Sequence, residues 1–414
     1  MSPPLDAQPF PACRLDHHGL AWGLFLAACV VLGLPETPIT QAAPAPLLPS
    51  SDNLTYSNDR KPEVPLSIHV VRWPRGNPAY ELHSLHAGNA AVGMATLSAQ
   101  VGSLQPSKGT PLAAINADFY QPYRAYAGHP RGIQILDGEV ISAPSGGVSF
   151  WIDAFGQPHT SNIVSRFSVI WPDGSSNHFG LNEERRATNL VLYTSAVGPS
   201  THTVGGRELV LERSGTNLWL PLRMSETYTA RVREQNDAGD TAVSRDTMVL
   251  SIGPGLVAKL PAVPVGGSLL IWTASTPNLW SSPVAIGGGP VLIHGGRPQK
   301  IDTHGSEAYE FGTMLEPHPR SAIGWNRQYF FLVVVDGRQK NLSVGMTLEE
   351  LSNYLVSLGC EEAMNFDGGG SATLWAQGQV RNSPCDRRER VIANGLVVLE
   401  KPRPGANSAG SVSP

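Results

Sequence analysis

The sequence predicts an α+β fold: a β-rich single domain with a βαβ-containing C-terminal part, preceded by an export segment and a disordered linker. Three observations lead there. Short segments of strand length recur between turns in a chain of 414 residues that holds 43 Gly and 35 Pro. Only two stretches carry the three-and-four spacing of an apolar helical face. Between Gln328 and Phe366 an apolar strand, a capped helix and a second strand follow one another directly.

At the N-terminus, residues 19–34 are uncharged and apolar, end at Pro35, and are followed by Thr40-Gln41-Ala42-Ala43-Pro44. This is the pattern of a secretory signal over residues 1–43. The stretch is slightly short for a membrane span, and an uncleaved signal anchor is the alternative. Leu26-Ala27-Ala28-Cys29 also has the form of a lipoprotein box, which would place a lipid on Cys29, although the residues after it stay apolar. Contact with a membrane is expected only through such an anchor or lipid, and the location is secreted, periplasmic or cell envelope. Residues 44–64 read as a Pro/Ser-rich linker and 401–414 as a disordered tail. Residues 65–400 form the domain, with a division near 287–296 as the alternative.

Within the domain, strands are expected at 66–72, 112–116, 132–136, 165–171, 189–193, 248–252 and 268–272, and a short helix at 96–101. The run from Gln328 to Lys340 is aromatic and β-branched, then stops at Asp336-Gly337. Thr347 and Glu350 form a capping box, and Leu348, Leu351, Leu355 and Leu358 mark one helical face up to the terminating Gly359. The chain then extends through Glu362-Ala363-Met364-Asn365-Phe366. Strand, helix, strand predicts parallel strands with a right-handed crossover. Ligands of open α/β sheets bind beyond the strands' C-terminal ends, so Asp336, Arg338 and Asp367 are expected to face one crevice.

The chemistry concentrates in Asn365-Phe366-Asp367-Gly368-Gly369-Gly370-Ser371. Three glycines admit unusual dihedrals and close approach, and consecutive amides can cradle an anion. Asn116 and Asp118 stand two apart at the end of a strand, and so on one face. His318-Pro319-Arg320 offers a planar guanidinium suited to phosphate or carboxylate, and Arg390 is singled out from the charge run 387–390. A formal net charge of −4 and the absence of a basic run exclude a nucleic-acid-binding class. Of four cysteines, Cys13 and Cys29 precede or fall in the export segment; Cys360 and Cys385 flank the glycine turn, and in an oxidising compartment they are expected to pair. No Walker loop, zinc motif or Ser-His-Asp order appears.

These motifs together resemble the phosphodiester glycosidase family, over roughly residues 65–400. The resemblance rests on Ala114-Ile115-Asn116-Ala117-Asp118-Phe119-Tyr120, Gly287-Gly288-Gly289-Pro290, His318-Pro319-Arg320-Ser321-Ala322-Ile323-Gly324, Val335-Asp336-Gly337-Arg338-Gln339, residues 365–371 and Arg390-Val391-Ile392-Ala393-Asn394. Ser321, Phe366 and Ala117 replace the usual Thr, Leu and Gly, and the loop from Cys385 to Arg388 is unusual. The resemblance implies hydrolysis of a sugar-1-phosphate diester at the anomeric carbon, with no required cofactor, though calcium or magnesium stays open. The expected partner is a phosphorylated carbohydrate. A phosphomonoester leaves readily, so the site needs anion stabilisation and support for an oxocarbenium-like transition state. Arg320 and the amides of Gly368, Gly369 and Gly370 would hold phosphate; Asp367 would act as nucleophile or general base. His318, Asn116, Asp118 and Arg338 would orient sugar and acid, with Asp336 a further catalytic candidate and Asn365, Ser371 and Arg390 further binding candidates. Two rivals remain: a non-catalytic binder of phosphorylated polysaccharide, and a metal-dependent phosphodiesterase using Asp118, Asp336 and Asp367 as oxygen ligands.

Overall fold

A hairpin sets the framework of the site. Strand Arg320–Trp325 turns through three residues into strand Tyr329–Val335, and Asn326 Oδ1 accepts from the amides of Gln328 and Tyr329 to close the turn. This computed structural model describes residues 53–87, 92–123, 125–301 and 311–402. The expected export segment with Cys13 and Cys29, the expected linker up to residue 52, and the expected tail beyond 402 lie outside the described residues. Among the described residues no helix is long and apolar enough to cross a membrane.

The hairpin belongs to a seven-stranded sheet in the order Thr55–Lys61, Leu66–Pro74, Tyr329–Val335, Arg320–Trp325, Glu362–Asn365, Val291–His294, Arg297–Pro298, with every neighbouring pair antiparallel. A five-stranded antiparallel sheet runs Gln379–Val380, Leu374–Ala376, Thr110–Asn116, Asn394–Glu400, Tyr80–His86. A third sheet, of twelve strands, is built from the chain between Gln134 and Gly287.

Side-chain alternation explains how the first two sheets stack. Val71, Trp73, Ile323, Leu332, Val334 and Met364 of the seven-stranded sheet meet Ala113, Ile115, Leu374, Leu396 and Val398 of the five-stranded sheet in one buried cluster. Their sequence neighbours Val70, Ala322, Phe331, Val333 and Ala363 point the other way, onto Leu348, Leu351 and Leu355 of helix α3 (Leu348–Ser357). Likewise Ala114, Val397 and Leu399 meet Leu97 and Val101 of helix α1 (Leu97–Gly102). The result is a four-layer arrangement, helix–sheet–sheet–helix, beside the larger third sheet. The capping box at Thr347 and Glu350 forms as expected, with both reciprocal bonds present.

Three expectations are revised. Strands Tyr329–Val335 and Glu362–Asn365 point the same way, because each is antiparallel to Arg320–Trp325, but that strand lies between them. The short hairpin connection pairs its strands locally and takes the edge that an adjacent parallel strand would need. Second, Thr55–Lys61, assigned to the linker, is an edge strand paired along its whole length with Leu66–Pro74; its polar composition reflects its partly exposed edge position. Third, Cys360 and Cys385 are both free. Cys360 is buried in the helix-side core, where burial pushes its thiol pKa up, whereas Cys385 sits at a partly exposed rim beside Asp386. Among the described residues no division falls near 287–296; they lie in one compact unit.

Because Leu351 is fully buried between helix and sheet, Leu351→Ala is expected to cost about 3 kcal/mol. Urea denaturation measures it; a loss under about 1 kcal/mol would mean the helix is not an integral layer.

Candidate active site

The split arrangement brings three chain ends to one edge of the seven-stranded sheet. Arg320 pairs with Val335, and Ala322 pairs with Asn365, so the start of one strand and the ends of two others lie together. Here the chain opens a cavity of about 640 Å³. Its lining includes His318, Arg320, Arg338, Asn365, Asp367, Gly368, Gly369, Gly370, Ser371 and Arg390, so most of the residues selected from sequence converge.

The glycine turn is held from three sides. The Phe366 amide donates to Ser321 O at 2.8 Å, the Asp367 amide to Ala117 O at 2.8 Å, and the Gly369 amide to Pro319 O at 2.9 Å. Asn116 Nδ2 donates to Asp367 O at 2.6 Å while its Oδ1 accepts from Ser321 Oγ at 2.7 Å and the Thr373 amide at 3.0 Å. Each glycine has its own reason. A side chain at Gly368 would meet Pro319 O, Gly369 has φ +59, and one at Gly370 would collide with the Arg390 guanidinium.

Two expected roles change. Asn116 is buried at 1% exposure and lies outside the cavity lining; it orients the acid's backbone and not the sugar. Two of the three amides proposed as a cradle are already engaged. That of Gly369 goes to Pro319, and that of Gly368 supports the Asp367 carboxylate.

Asp336 also departs from expectation. It is buried outside the cavity lining, where Oδ2 lies 2.9 Å from His69 Nε2 and Oδ1 accepts from the Ser383 amide and Asn382 Nδ2. His69 Nδ1 is 2.9 Å from the Tyr56 hydroxyl, so the network ties the edge strand to the sheet. Arg338, two residues on, takes φ +58, a conformation rare for a non-glycine residue; the reversal parts Arg338, in the cavity wall, from Asp336. With Asp336 removed, the proposed trio of oxygen ligands does not meet. Among the described residues no group of three or more His, Cys, Asp or Glu side chains could hold a metal ion.

The electrostatics of the cavity are one-sided. Four arginines line it (Arg131, Arg320, Arg338 and Arg390), and Asp367 is the one acid among the described lining residues. Arg390 is braced by Asp386 Oδ2, at 3.0 and 2.8 Å. Arg320 donates from Nε to Met346 O and from Nη2 to the carbonyls of Thr313 and Glu316, so it also ties down the segment before His318. Asp367 is half-buried. Burial raises its pKa to about 6, against the opposing pull of Ser371, Arg390 and the Gly368 amide. His318 is pushed down by burial and then by Arg338 and Arg320; Arg338 Nε donates to its Nδ1 at 3.4 Å, as suits a neutral ring.

Behind Asp367 lies Asp118. Its Oδ2 accepts from the Gly132 amide at 2.6 Å, and burial raises its pKa to about 7, with the Asp367 charge adding to the shift. Asp118 does not line the cavity; it feels the Asp367 charge from behind.

Sequence reasoning missed Arg131, Tyr120 and the exposed Tyr123. Arg131 precedes a strand candidate, the same position that drew attention to Arg320. Tyr120 stood in the motif with Asn116 and Asp118, and its hydroxyl donates to Val391 O. With Phe119 and Pro122 these tyrosines make an aromatic wall to a cavity otherwise cationic.

Fold and site therefore place one acid among four arginines in a cavity with an aromatic face. Residues 224–399 match the model of the phosphodiester glycosidase family, so the resemblance read from the motifs holds over that stretch, from 287 to 394 among the quoted residues. An uncharacterized SPbeta prophage-derived protein of Bacillus subtilis (strain 168) is 34% identical over 82 residues, which are 20% of this chain and 13% of that protein. A hypothetical protein from Synechocystis shares the fold at TM-score 0.65 and 21% identity, covering 84% of this chain and 62% of that one. An exported-protein candidate of Burkholderia pseudomallei K96243 matches at TM-score 0.60 and 19% identity, over 81% of this chain and 74% of that one. The chain thus spans less than two thirds of the Synechocystis protein and about an eighth of the Bacillus one.

The raised carboxyl pKa of Asp118 has a stability signature. Its folded pKa exceeds the unfolded value, so the folded state holds the extra proton between about pH 4 and 7. The contribution is complete below pH 4 and is lost as pH rises through 7. Asp118→Asn should therefore melt progressively higher relative to the parent chain as pH increases from 4.5 to 8. A melting-temperature difference independent of pH would mean that Asp118 titrates normally.

Proposed function

We propose that this chain is an exported hydrolase that cleaves the glycosidic bond of a sugar-1-phosphate diester, releasing free sugar and a phosphomonoester, with envelope or extracellular polysaccharide as its setting. The observation that carries this reading is the single half-buried acid, Asp367, in a cavity lined by four arginines and faced by aromatic side chains. A phosphodiester supplies the negative charge that the arginines call for, and a sugar ring supplies apolar C–H faces for Phe119 and the tyrosines.

In this reading Arg338 and Arg390 hold the phosphate, with Arg131 and Arg320 adding positive potential. The C1–O bond breaks toward the phosphate oxygen, which leaves with the electron pair. The arginines stabilise that charge in a site of low dielectric. Asp367 acts at C1 as nucleophile or as general base for water, and the oxygen of water ends on the sugar. Neutral His318, with its proton on Nε2 when Nδ1 accepts from Arg338, is suited to donate to a phosphate oxygen. Asn365 Oδ1 is buried without a hydrogen-bond partner among the described residues; the Asn365 amide is oriented by its Nδ2 bond to Gly289 O, which presents Oδ1 as an acceptor, and the Ser371 hydroxyl stands beside the Asp367 carboxylate. Such groups suit the hydroxyls of a bound sugar.

The family match over 224–399 supports the reaction class. Export is supported by the apolar segment at 19–34 and fits the description of the Burkholderia relative.

Asp367→Asn should reduce turnover of UDP-N-acetylglucosamine, or of a simple sugar-1-phosphate diester, at least a thousandfold with an unchanged circular dichroism spectrum. In the parent chain kcat/KM should fall as pH drops through about 6, where Asp367 takes up its proton. Substantial activity in the Asn variant would remove Asp367 from the mechanism.

A further inference from the structure

A second site lies on the exposed face of the twelve-stranded sheet, and none of its residues lines the cavity of Asp367. Register places Thr227, Trp272, Ser168 and His178 directly opposite one another on four neighbouring strands. At ordinary strand spacing this row is about 14 Å long. A groove of about 430 Å³ runs along it, lined by Arg166, Ser168, Ser176, Asn177, His178 and Trp272.

Each group has a defined state. Trp272 is 42% exposed, and among the described residues no ring or cation stacks on it. His178 donates from Nδ1 to Phe167 O at 3.1 Å, which leaves Nε2 as an acceptor. Asn177, opposite the core residue Val169, turns its side chain inward, where Oδ1 accepts from the buried Trp171 Nε1 at 2.7 Å and steadies the strand that carries His178. Arg166 is exposed and makes no ion pair among the described residues, although the chain as a whole is acidic.

We propose that this groove binds an acidic polysaccharide. An uncovered indole face accepts the C–H face of a sugar ring. The His178 acceptor and the Ser176 hydroxyl, on the same face two residues apart, match ring hydroxyls. The unpaired Arg166 fits a carboxylate or phosphate borne by the polymer. A protein partner would want a continuous apolar patch, whereas this row alternates one aromatic with short polar side chains. The side chains stand on adjacent strands of a sheet, so little ordering is needed on binding. The site would hold the chain on a polymer, and it stands independently of the reaction proposed at Asp367.

Affinity electrophoresis of the full chain through gels containing alginate, with dextran as neutral control, tests this. Alginate should retard the parent chain and dextran should not; Trp272→Ala should weaken the alginate affinity at least tenfold, Arg166→Ala should weaken it as well, and Trp272→Phe should keep most of it. Turnover at the other site should be unchanged in all three. The Phe variant guards against a folding defect in the Ala variant. Absence of retardation, equal retardation by dextran, or unchanged retardation in both Ala variants would overturn the proposal.

Discussion

Everything at the candidate site depends on the side chain of Asn116. It stands at the end of a strand of the five-stranded sheet, and its three hydrogen bonds reach Ser321 of the seven-stranded sheet, the Thr373 amide and the backbone carbonyl of Asp367. Most of the contact between the two sheets is apolar packing, which fixes distance but not register to a fraction of an ångström. A buried amide with its hydrogen bonds made is directional. It therefore locates the acid's backbone relative to both sheets, and the cavity walls that come from each of them are located with it.

From that constraint the electrostatics follow. Once the turn is clamped, the Asp367 carboxylate is half-buried, supported by the Gly368 amide and overlooked by Arg390 and Arg131. Burial and positive charge pull its pKa in opposite directions, and burial wins, raising it to about 6. The acid stays ionised near neutrality although it is partly withdrawn from solvent. Asp118 behind it is the more strongly shifted of the two, and the two carboxyls disfavour each other's charge. This pair resembles the general pattern in which neighbouring titratable groups are driven apart by unequal environments.

Much of the fold was legible in the sequence, because strand and helix periodicities are local. The expected strands at 66–72, 112–116 and 248–252, the Thr347 capping box and the α3 stripe all lie where their patterns put them. What failed was non-local. Nothing between Gln328 and Phe366 says that Arg320–Trp325 will lie between its two strands, and nothing in Thr55–Lys61 distinguishes a polar edge strand from a linker. At the site, residue type and proximity to glycines picked out Asp367, Arg338 and Arg390 as cavity residues. Asp336 looked equivalent to Asp367 in sequence, since both follow apolar strands. The Asp336 carboxylate is drawn away from the cavity by His69, 267 positions away in the chain. The expected Cys360–Cys385 pair failed for a similar reason: sequence neighbourhood around a loop does not report that one thiol faces the core.

The most direct test of the central claim, that Asp367 works at an anomeric carbon and not at phosphorus, is to locate the oxygen delivered by water. Hydrolysis of UDP-N-acetylglucosamine or a simple sugar-1-phosphate diester in ¹⁸O-labelled water, followed by mass spectrometry of both products, reads it. The account predicts the label in the released sugar and none in the phosphate product. Label in the phosphate would establish cleavage of the P–O bond and contradict it.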